Sequence, residues 1–222
     1  MAAKLIRADL HNHTFYSPDG ITSPQRFVKE CQRRGIDCAA VTEHNTIRGG
    51  LAVQEIAPFM VIVGEEVRSS RGEILGLFLT REVPPGLSPE ETMERIVEQG
   101  GLVGIPHPFD RFRGALEYES MRRLTPRINF IEAFNARTTF PGDNGRALRY
   151  AQDNDLPISA ASDAHSPWEM GHAYVEMPAF EGPQSFLAAL REGQIVGRLS
   201  NPLVHLASRW AWLRHRWGWR PV

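Results

Sequence analysis

The stretch Leu5-Ile6-Arg7-Ala8-Asp9-Leu10-His11-Asn12-His13 reads as a short apolar strand, residues 5–10, that ends on two histidines. Side chains alternate along a strand, so His11 and His13 leave on one face and both rings can reach a single ion. The same pattern recurs down the chain. Residues 36–42 form a second strand, followed by Thr42-Glu43-His44-Asn45-Thr46. Residues 60–67 form a third, ending on Glu65 and Glu66. A short strand at 102–105 precedes Pro106-His107-Pro108, one at 128–134 carries Glu132 and leads to Asn135, and one at 157–161 leads to Ser162-Asp163-Ala164-His165. Further strands are expected at 73–79 and 173–177.

Helical patterns fill the gaps. Ser23 caps a helix with Pro24 at its first position, and Gly35 stops it. Ser88-Pro89-Glu90-Glu91 is a capping box that opens another. Others lie near 145–154 and 184–191. Such alternation predicts a parallel sheet with right-handed crossovers. Seven or eight strands in roughly 200 residues favour a (β/α) barrel over an open sheet. In α/β folds, sites are built at the C-terminal ends of the strands. Five of the eight histidines fall there. One loop histidine means little; five on a shared rim, with Glu66 and Asp163, point to a cluster of divalent metals.

The rest of the chain sets bounds. Its 222 residues suit one domain with a short appendage, and a net charge of -1 gives no global field for nucleic acid or membrane. Only Lys4 and Lys29 are lysines; arginine suits phosphate, although a GC-rich genome explains the bias as well. Cys31 and Cys38 form no CxxC or disulfide framework. No leader-type apolar region opens the chain and no run is long enough to span a membrane, so the cytoplasm is the default. Nucleophile elbows, Walker loops and GxGxxG are absent.

Taken together, these residues resemble the polymerase and histidinol phosphatase (PHP) family. Asp9-Leu10-His11-Asn12-His13-Thr14 is similar to its first motif and Ser17-Pro18-Asp19-Gly20 to the acidic turn after it. Thr42-Glu43-His44-Asn45-Thr46, Gly64-Glu65-Glu66-Val67, Pro106-His107-Pro108 and Ser162-Asp163-Ala164-His165 resemble the later motifs, in family order. The resemblance implies a distorted seven-stranded (β/α) barrel with two or three divalent ions, Mn, Zn or Fe. His11, His13, Glu66 and Asp163 would hold the first; Glu66 would bridge to a second held also by His107; Asp19, His44 and His165 would hold a third. Two departures stand out. Where relatives carry a histidine after the sixth strand this chain has Asn135, so Asn135 or Glu132 would complete that site. Where relatives carry one near the fourth strand it has Glu73, which either substitutes or is a solvated edge residue, the reading favoured for an isolated charge.

The expected activity is a metal-dependent phosphoesterase acting on a small phosphomonoester or a nucleotide or oligonucleotide phosphodiester, with a hydroxide held between metals as nucleophile. Arg111 and Arg137 are candidates to bind phosphate. His44, a rim histidine, is a further catalytic candidate, and His172 a weaker proton donor. Glu43 and Glu65 would orient ligand rings, while Phe15 and Tyr16 would pack at the mouth or stack on a base. The alternatives are an amidohydrolase-like hydrolase of C–N bonds, which has no use for a third site of Asp19, His44 and His165, and a non-catalytic metal-stabilised module.

Residues 1–200 are expected to form the hydrolase domain and 201–222 an Arg/Trp-rich helical tail. In that tail Trp210, Trp212, Trp217 and Trp219 are interspersed with Arg209, Arg214, Arg216 and Arg220. Leu203, Leu206, Trp210, Leu213 and Trp217 recur at helical spacing and are expected to dock on the barrel. A protein partner, a membrane surface or single-stranded nucleic acid are the other candidates for that face.

Overall fold

The computed structural model describes residues 4–218, so Trp219 and Arg220 of the tail lie outside the described residues. The elements run β1 (Leu5–Asp9), α1 (Pro24–Arg34), β2 (Cys38–His44), α2 (Arg48–Ile56), β3 (Met60–Ser69), β4 (Gly72–Leu77), α3 (Pro89–Val97), β5 (Leu102–Ile105), α4 (Tyr118–Leu124), β6 (Phe130–Asn135), α5 (Pro141–Asp153), β7 (Ile158–Ala161), β8 (Ala173–Pro178), α6 (Gly182–Arg191), β9 (Gln194–Gly197) and α7 (Val204–Arg216). The caps behave as their residues require. Ser23 accepts from the Arg26 amide, Gly35 closes α1 with φ 67°, and Ser88 and Glu91 satisfy each other's backbone groups at α3.

A single sheet of nine strands has the order β7-β6-β5-β4-β3-β2-β1-β8-β9 among the described residues. It curls until the segments after β1 and β7 meet: the Asp163 amide donates to the His11 carbonyl and the His13 amide to the Ala164 carbonyl, both at 2.9 Å. The result is an α/β fold built on a nearly closed, barrel-like sheet. It departs from expectation in two ways. There are nine strands where seven were expected, because β8 and the short edge strand β9 extend the sheet beyond β1. The sheet is also mixed, since β4 runs antiparallel to both β3 and β5, and β8 to β1. Only two residues, Ser70 and Arg71, join β3 to β4, and so short a link can only make a hairpin.

Period-two alternation divides the strands between an inner and an outer core. Ala40, Ile62, Leu75 and Phe130 belong to one buried cluster, into which Phe186 of α6 also packs. Their strand neighbours Ala39, Val63, Ile74 and Ile131 face the helices. Followed two and four residues along each strand, the inner face carries Thr42 and His44, Gly64 and Glu66, Glu132, and, back along the reversed β4, Glu73. Polar ligands thus continue the inner apolar stack towards one mouth. The stack is tight. A Cβ at Gly104 would stand 2.1 Å from the Phe130 ring, which fills the space that glycine leaves. Gly104→Ala is expected to cost about 1–3 kcal/mol by overpacking, read as a lower midpoint in urea unfolding.

The tail is helical as expected, but its orientation is not. Leu203, Leu206, Trp210, Leu213 and Trp217 are exposed, whereas Val204 and Ala211 are buried. The helix lies against the polar mouth of the barrel, where large apolar side chains find no apolar partner. It is held instead by Arg137, which donates to the Val204 carbonyl (3.3 Å) and to Ser208 Oγ (2.8 Å).

Candidate metal centre

The mouth is built from strand ends whose register sets what meets. His44 is the register partner of Glu66 on adjacent strands. His44 Nδ1 lies 3.0 Å from Glu66 Oε2, and His44 Nε2 lies 3.5 Å from Asp19 Oδ2, which is also 3.1 Å from His165 Nε2. Glu66 Oε1 meets His107 Nε2 at 2.9 Å. His11 Nε2 and His13 Nε2 stand 3.1 Å apart. Glu66 Oε2 is 3.4 and 3.5 Å from them, and Asp163 Oδ1 is 3.8 and 3.4 Å. His11, His13, Glu66, Asp163 and His107 are almost wholly buried.

This donor set fits a metal. A tetrahedron whose corners lie about 2.1 Å from its centre has edges of about 3.4 Å, as four N and O ligands of zinc would. The separations around His11, His13, Glu66 and Asp163 scatter about that value. Second, the outer ring nitrogens are spent. His11 Nδ1 meets Glu132 Oε1 at 3.0 Å, His13 Nδ1 meets Ser17 Oγ at 3.0 Å, and His165 Nδ1 meets the Asp163 carbonyl at 2.9 Å. A proton on each Nδ1 leaves the Nε2 lone pair aimed inward, as a ligating imidazole requires. Third, Glu66 Oε2 and Asp163 Oδ1 are buried without a hydrogen-bond partner. A cation satisfies both. His13 with His44 and His165, and His44 with Glu66 and Glu73, form two further donor groups.

Charge is compressed here. Burial alone would lower His11, but Asp163, Glu66 and Glu132 outweigh it and hold the ring well above its ordinary pKa. Burial would raise Glu66, yet His11 and His44 hold it well below the usual carboxylate range. The backbone is bent to match. His107 and Asp163 take positive φ, 29° and 51°, which non-glycine residues adopt at a cost and mostly at functional sites.

All eight residues expected as ligands converge: His11, His13, Asp19, His44, Glu66, His107, Asp163 and His165. The accessory residues differ from expectation. Glu132 and Asn135 lie beside the cage, but their polar atoms are engaged. Glu132 Oε2 accepts from the His107 amide (2.7 Å) and Asn135 Nδ2 (2.9 Å), and Asn135 Nδ2 also reaches Asp163 Oδ2 (2.8 Å). Both therefore orient ligands in this structure. Glu73, favoured as a solvated edge residue, is buried and its Oε2 lies 3.8 Å from His107 Nε2. The reversal of β4 explains this, because it brings the start of that strand to the mouth. Gly114 makes the room: a Cβ there would sit 2.2 Å from the Glu73 carboxylate.

The two expected phosphate arginines part ways, since Arg137 lines a cavity at the mouth together with His165 and Arg113. Arg111 is exposed, with its guanidinium 6.0 Å from the centre of the Phe140 ring. Arg137 is buried and divided between α7 and Glu169 Oε1, at 3.3 Å. Arg113, which the sequence reading did not single out, lies at the same mouth. It pairs with Asp163 Oδ2, and Asp163, Glu66 and Glu73 together overcome burial and keep it charged. The signal available for it was Gly114, which lets this loop close onto β4.

Glu43 does support a ligand ring. It accepts from the Thr14 amide (3.0 Å) and from Ser17 Oγ, which in turn holds His13. Glu65 does not, because it faces away from Glu66; it accepts from the Val83 amide (2.9 Å), and burial pushes its pKa up to about 7. His172 is engaged with Ser200 Oγ at 2.8 Å. Phe15 and Tyr16 stack on each other with ring centres 4.8 Å apart.

A PHP domain model matches residues 9–105 and a PHP-associated model matches residues 141–195. A protein of Methanocaldococcus jannaschii is 40% identical over 144 residues, which cover 59% of this chain and 82% of that one. This chain belongs to the PHP family. Its fold is shared with a two-domain Bacteroides vulgatus protein described as containing a predicted PHP-like metal-dependent phosphoesterase (TM-score 0.73, 19% identity, 94% of this chain and 70% of that chain). The lesion-specific endonuclease Q of Pyrococcus furiosus is also similar (TM-score 0.69, 17% identity, 90% and 60%). An endonuclease Q has been solved with a 27-mer duplex substrate carrying an abasic lesion at its active site. PHP membership and the donor clusters support a metal-dependent hydrolase. No helix of the described residues is long and apolar enough to cross a membrane.

Proposed function

We propose that this PHP chain is a metal-dependent phosphoesterase that hydrolyses a small phosphomonoester or a nucleotide or oligonucleotide phosphodiester. The observation that carries the reading is Asp19, whose Oδ2 faces both His44 and His165 beside the cage centred on Glu66. This adds a donor set that hydrolysis of a C–N bond does not call for. Arg113, at the mouth between Asp163 and Glu73, is a fixed cation suited to a phosphoryl oxygen.

In this reading His11, His13, Glu66 and Asp163 hold one ion, Glu66 and His107 with Glu73 a second, and Asp19, His44 and His165 a third. When bound, two or three divalent ions would supply Lewis acidity to the phosphoryl oxygens and to the attacking water. The chain's own residues do the rest. Glu132 and Ser17 fix the tautomers of His11 and His13. Asn135 fixes the Asp163 carboxylate and leaves its Oδ1 facing the cage. Arg113 approaches the other oxygen, so one carboxylate serves the ion side and the substrate side together. His44 is assigned as a ligand, because both its ring nitrogens face carboxylates. Residues 1–200 form the hydrolase unit and the tail a docked helix.

Protein loaded with Mn, Zn or Fe is expected to release inorganic phosphate from an aryl phosphate or from members of a nucleotide and short-oligonucleotide panel. Folded protein with metal bound at the cage, yet inert on every phosphate ester, would overturn the reading.

A further inference from the structure

Helix α7 lies outside both stretches that match the family. Its packing is inverted for a helix that serves only as a roof. Such a helix turns its apolar stripe inward and its charges outward. Here Leu206, Trp210 and Trp217 face out, and Leu213 lies at the edge of the helix, lining a cavity with Asp19 and Trp212. The residues the helix buries are small, Val204 and Ala211; beside them His205, Ser208, Arg209 and Trp212, spaced i, i+3, i+4 and i+7, line cavities at the mouth, with Arg209 and Trp212 still open to solvent. His205 lines the same cavity as His165, Arg113 and Arg137, so that end of the stripe lies beside the site.

Three cavities lie beneath α7: one is set against the helix itself, between Asp19 and Ser208, Arg209, Trp212 and Leu213, and two open on the cage. One of these two, of about 330 Å³, is bounded by His44, Asp19, Arg113 and Trp212. The other, of about 420 Å³, is bounded by His165, Asp19, Arg113 and Arg209. Both lie in the range, about 300–1,000 Å³, that suits small molecules. They share Asp19 and Arg113, so they flank one reacting centre. Arg209 has no carboxylate within ion-pair distance among the described residues, which leaves its charge for an incoming anion. The Arg216 guanidinium lies over one face of the Trp212 ring, 4.9 Å from its centre, which leaves the opposite face as the flat surface for a ligand in the cavity beside His44 and Asp19.

We infer that α7 is a specificity element: Trp212 stacks on a planar ring in the leaving group of a small phosphate ester and Arg209 attracts its anionic end. The inference rests on the phosphoesterase reading and narrows its substrate class to ring-bearing small phosphates. Base stacking on an aromatic side chain is sequence-tolerant, so a nucleoside or another aryl group satisfies it.

The test uses metal-loaded full-length protein and two non-hydrolysable probes, a nucleoside 5′-phosphonate and methylphosphonate, titrated by calorimetry. Wild type is expected to bind the nucleoside phosphonate at least about tenfold more tightly, and Trp212→Ala to shrink that gap to about twofold without weakening methylphosphonate. Trp212→Phe should keep most of the gap. Arg209→Ala should weaken both probes, and Leu206→Ala on the outer face neither. No gap in wild type, or a gap that survives Trp212→Ala, would overturn the inference. Phosphate release from a nucleoside monophosphate and from glycerol phosphate, measured in parallel, tests the phosphoesterase reading separately. Turnover without a ring preference removes only the role of α7, and ring-selective binding without turnover removes only the reaction.

Discussion

Replacing Glu66 with glutamine is expected to strip metal from the protein and to lower turnover roughly a thousandfold, the equivalent of several kcal/mol of lost transition-state stabilisation. The argument is the position of one carboxylate. Its Oε1 meets His107 at 2.9 Å, and its Oε2 faces His11, His13 and His44 at 3.4, 3.5 and 3.0 Å. No other side chain in the described structure touches so many of the rings. Glutamine keeps the size and one acceptor, so the barrel should still fold. It removes the charge and sets an N–H₂ donor among ring nitrogens whose lone pairs point inward. Elemental analysis gives the metal per chain, phosphate release gives kcat, and far-UV circular dichroism checks the fold. Full metal content with kcat within about threefold of wild type would sink the assignment, because a bridging ligand cannot be neutral at so small a cost.

Much of this centre was legible in the sequence, because it depends on short-range rules. Alternation placed His11 with His13 on one face, and strand ends in a parallel arrangement share a rim. His44 and Glu66 could be expected to meet for that reason, and their register shows that they do. The residues that escaped depend on chain reversals and close approaches. Glu73 reads in sequence as an isolated charge, which is usually exposed; because β4 is reversed, the residue lies at the mouth beside His107. Helix α2 escaped because Gly49 and Gly50 disfavour a helix. Gly49 is there for contact rather than propensity: a Cβ would stand 1.9 Å from Glu43 Oε1, the carboxylate that fixes Thr14 and Ser17.

The tail shows the limit of periodicity in another way. Helical spacing of leucines and tryptophans correctly predicted a helix, and amphipathicity then assigned the wrong face to the barrel. The rule assumes an apolar surface to meet. At the mouth of the donor cluster the surface is polar, and Arg137 holds the helix through hydrogen bonds that no hydrophobic pattern encodes. Arg137, expected to bind substrate, holds α7 and also lines the cavity beside His165, and Arg113 brings a second positive charge to that cavity.

That second charge makes Arg113→Ala the second sharp test. The variant is expected to lose about a hundredfold in kcat/KM, in the range seen when one member of a buried charge pair is removed, about 2–5 kcal/mol. Bound metal should stay near the wild-type level, because Arg113 engages Asp163 Oδ2 whereas Oδ1 faces His11 and His13. Asn135 remains on Oδ2 at 2.8 Å and keeps the carboxylate oriented. Arg113→Lys should recover only part of the loss, since an ammonium restores the charge but not the planar fork that a phosphate accepts. Arg111→Ala, two residues away and exposed, should change kcat/KM less than about twofold, as surface substitutions usually do. The two readouts separate the possible roles. If activity falls and metal falls with it, as for Glu66→Gln, Arg113 serves only to hold Asp163 in place. If activity falls with metal retained and the loss lies mainly in KM, its guanidinium meets the substrate.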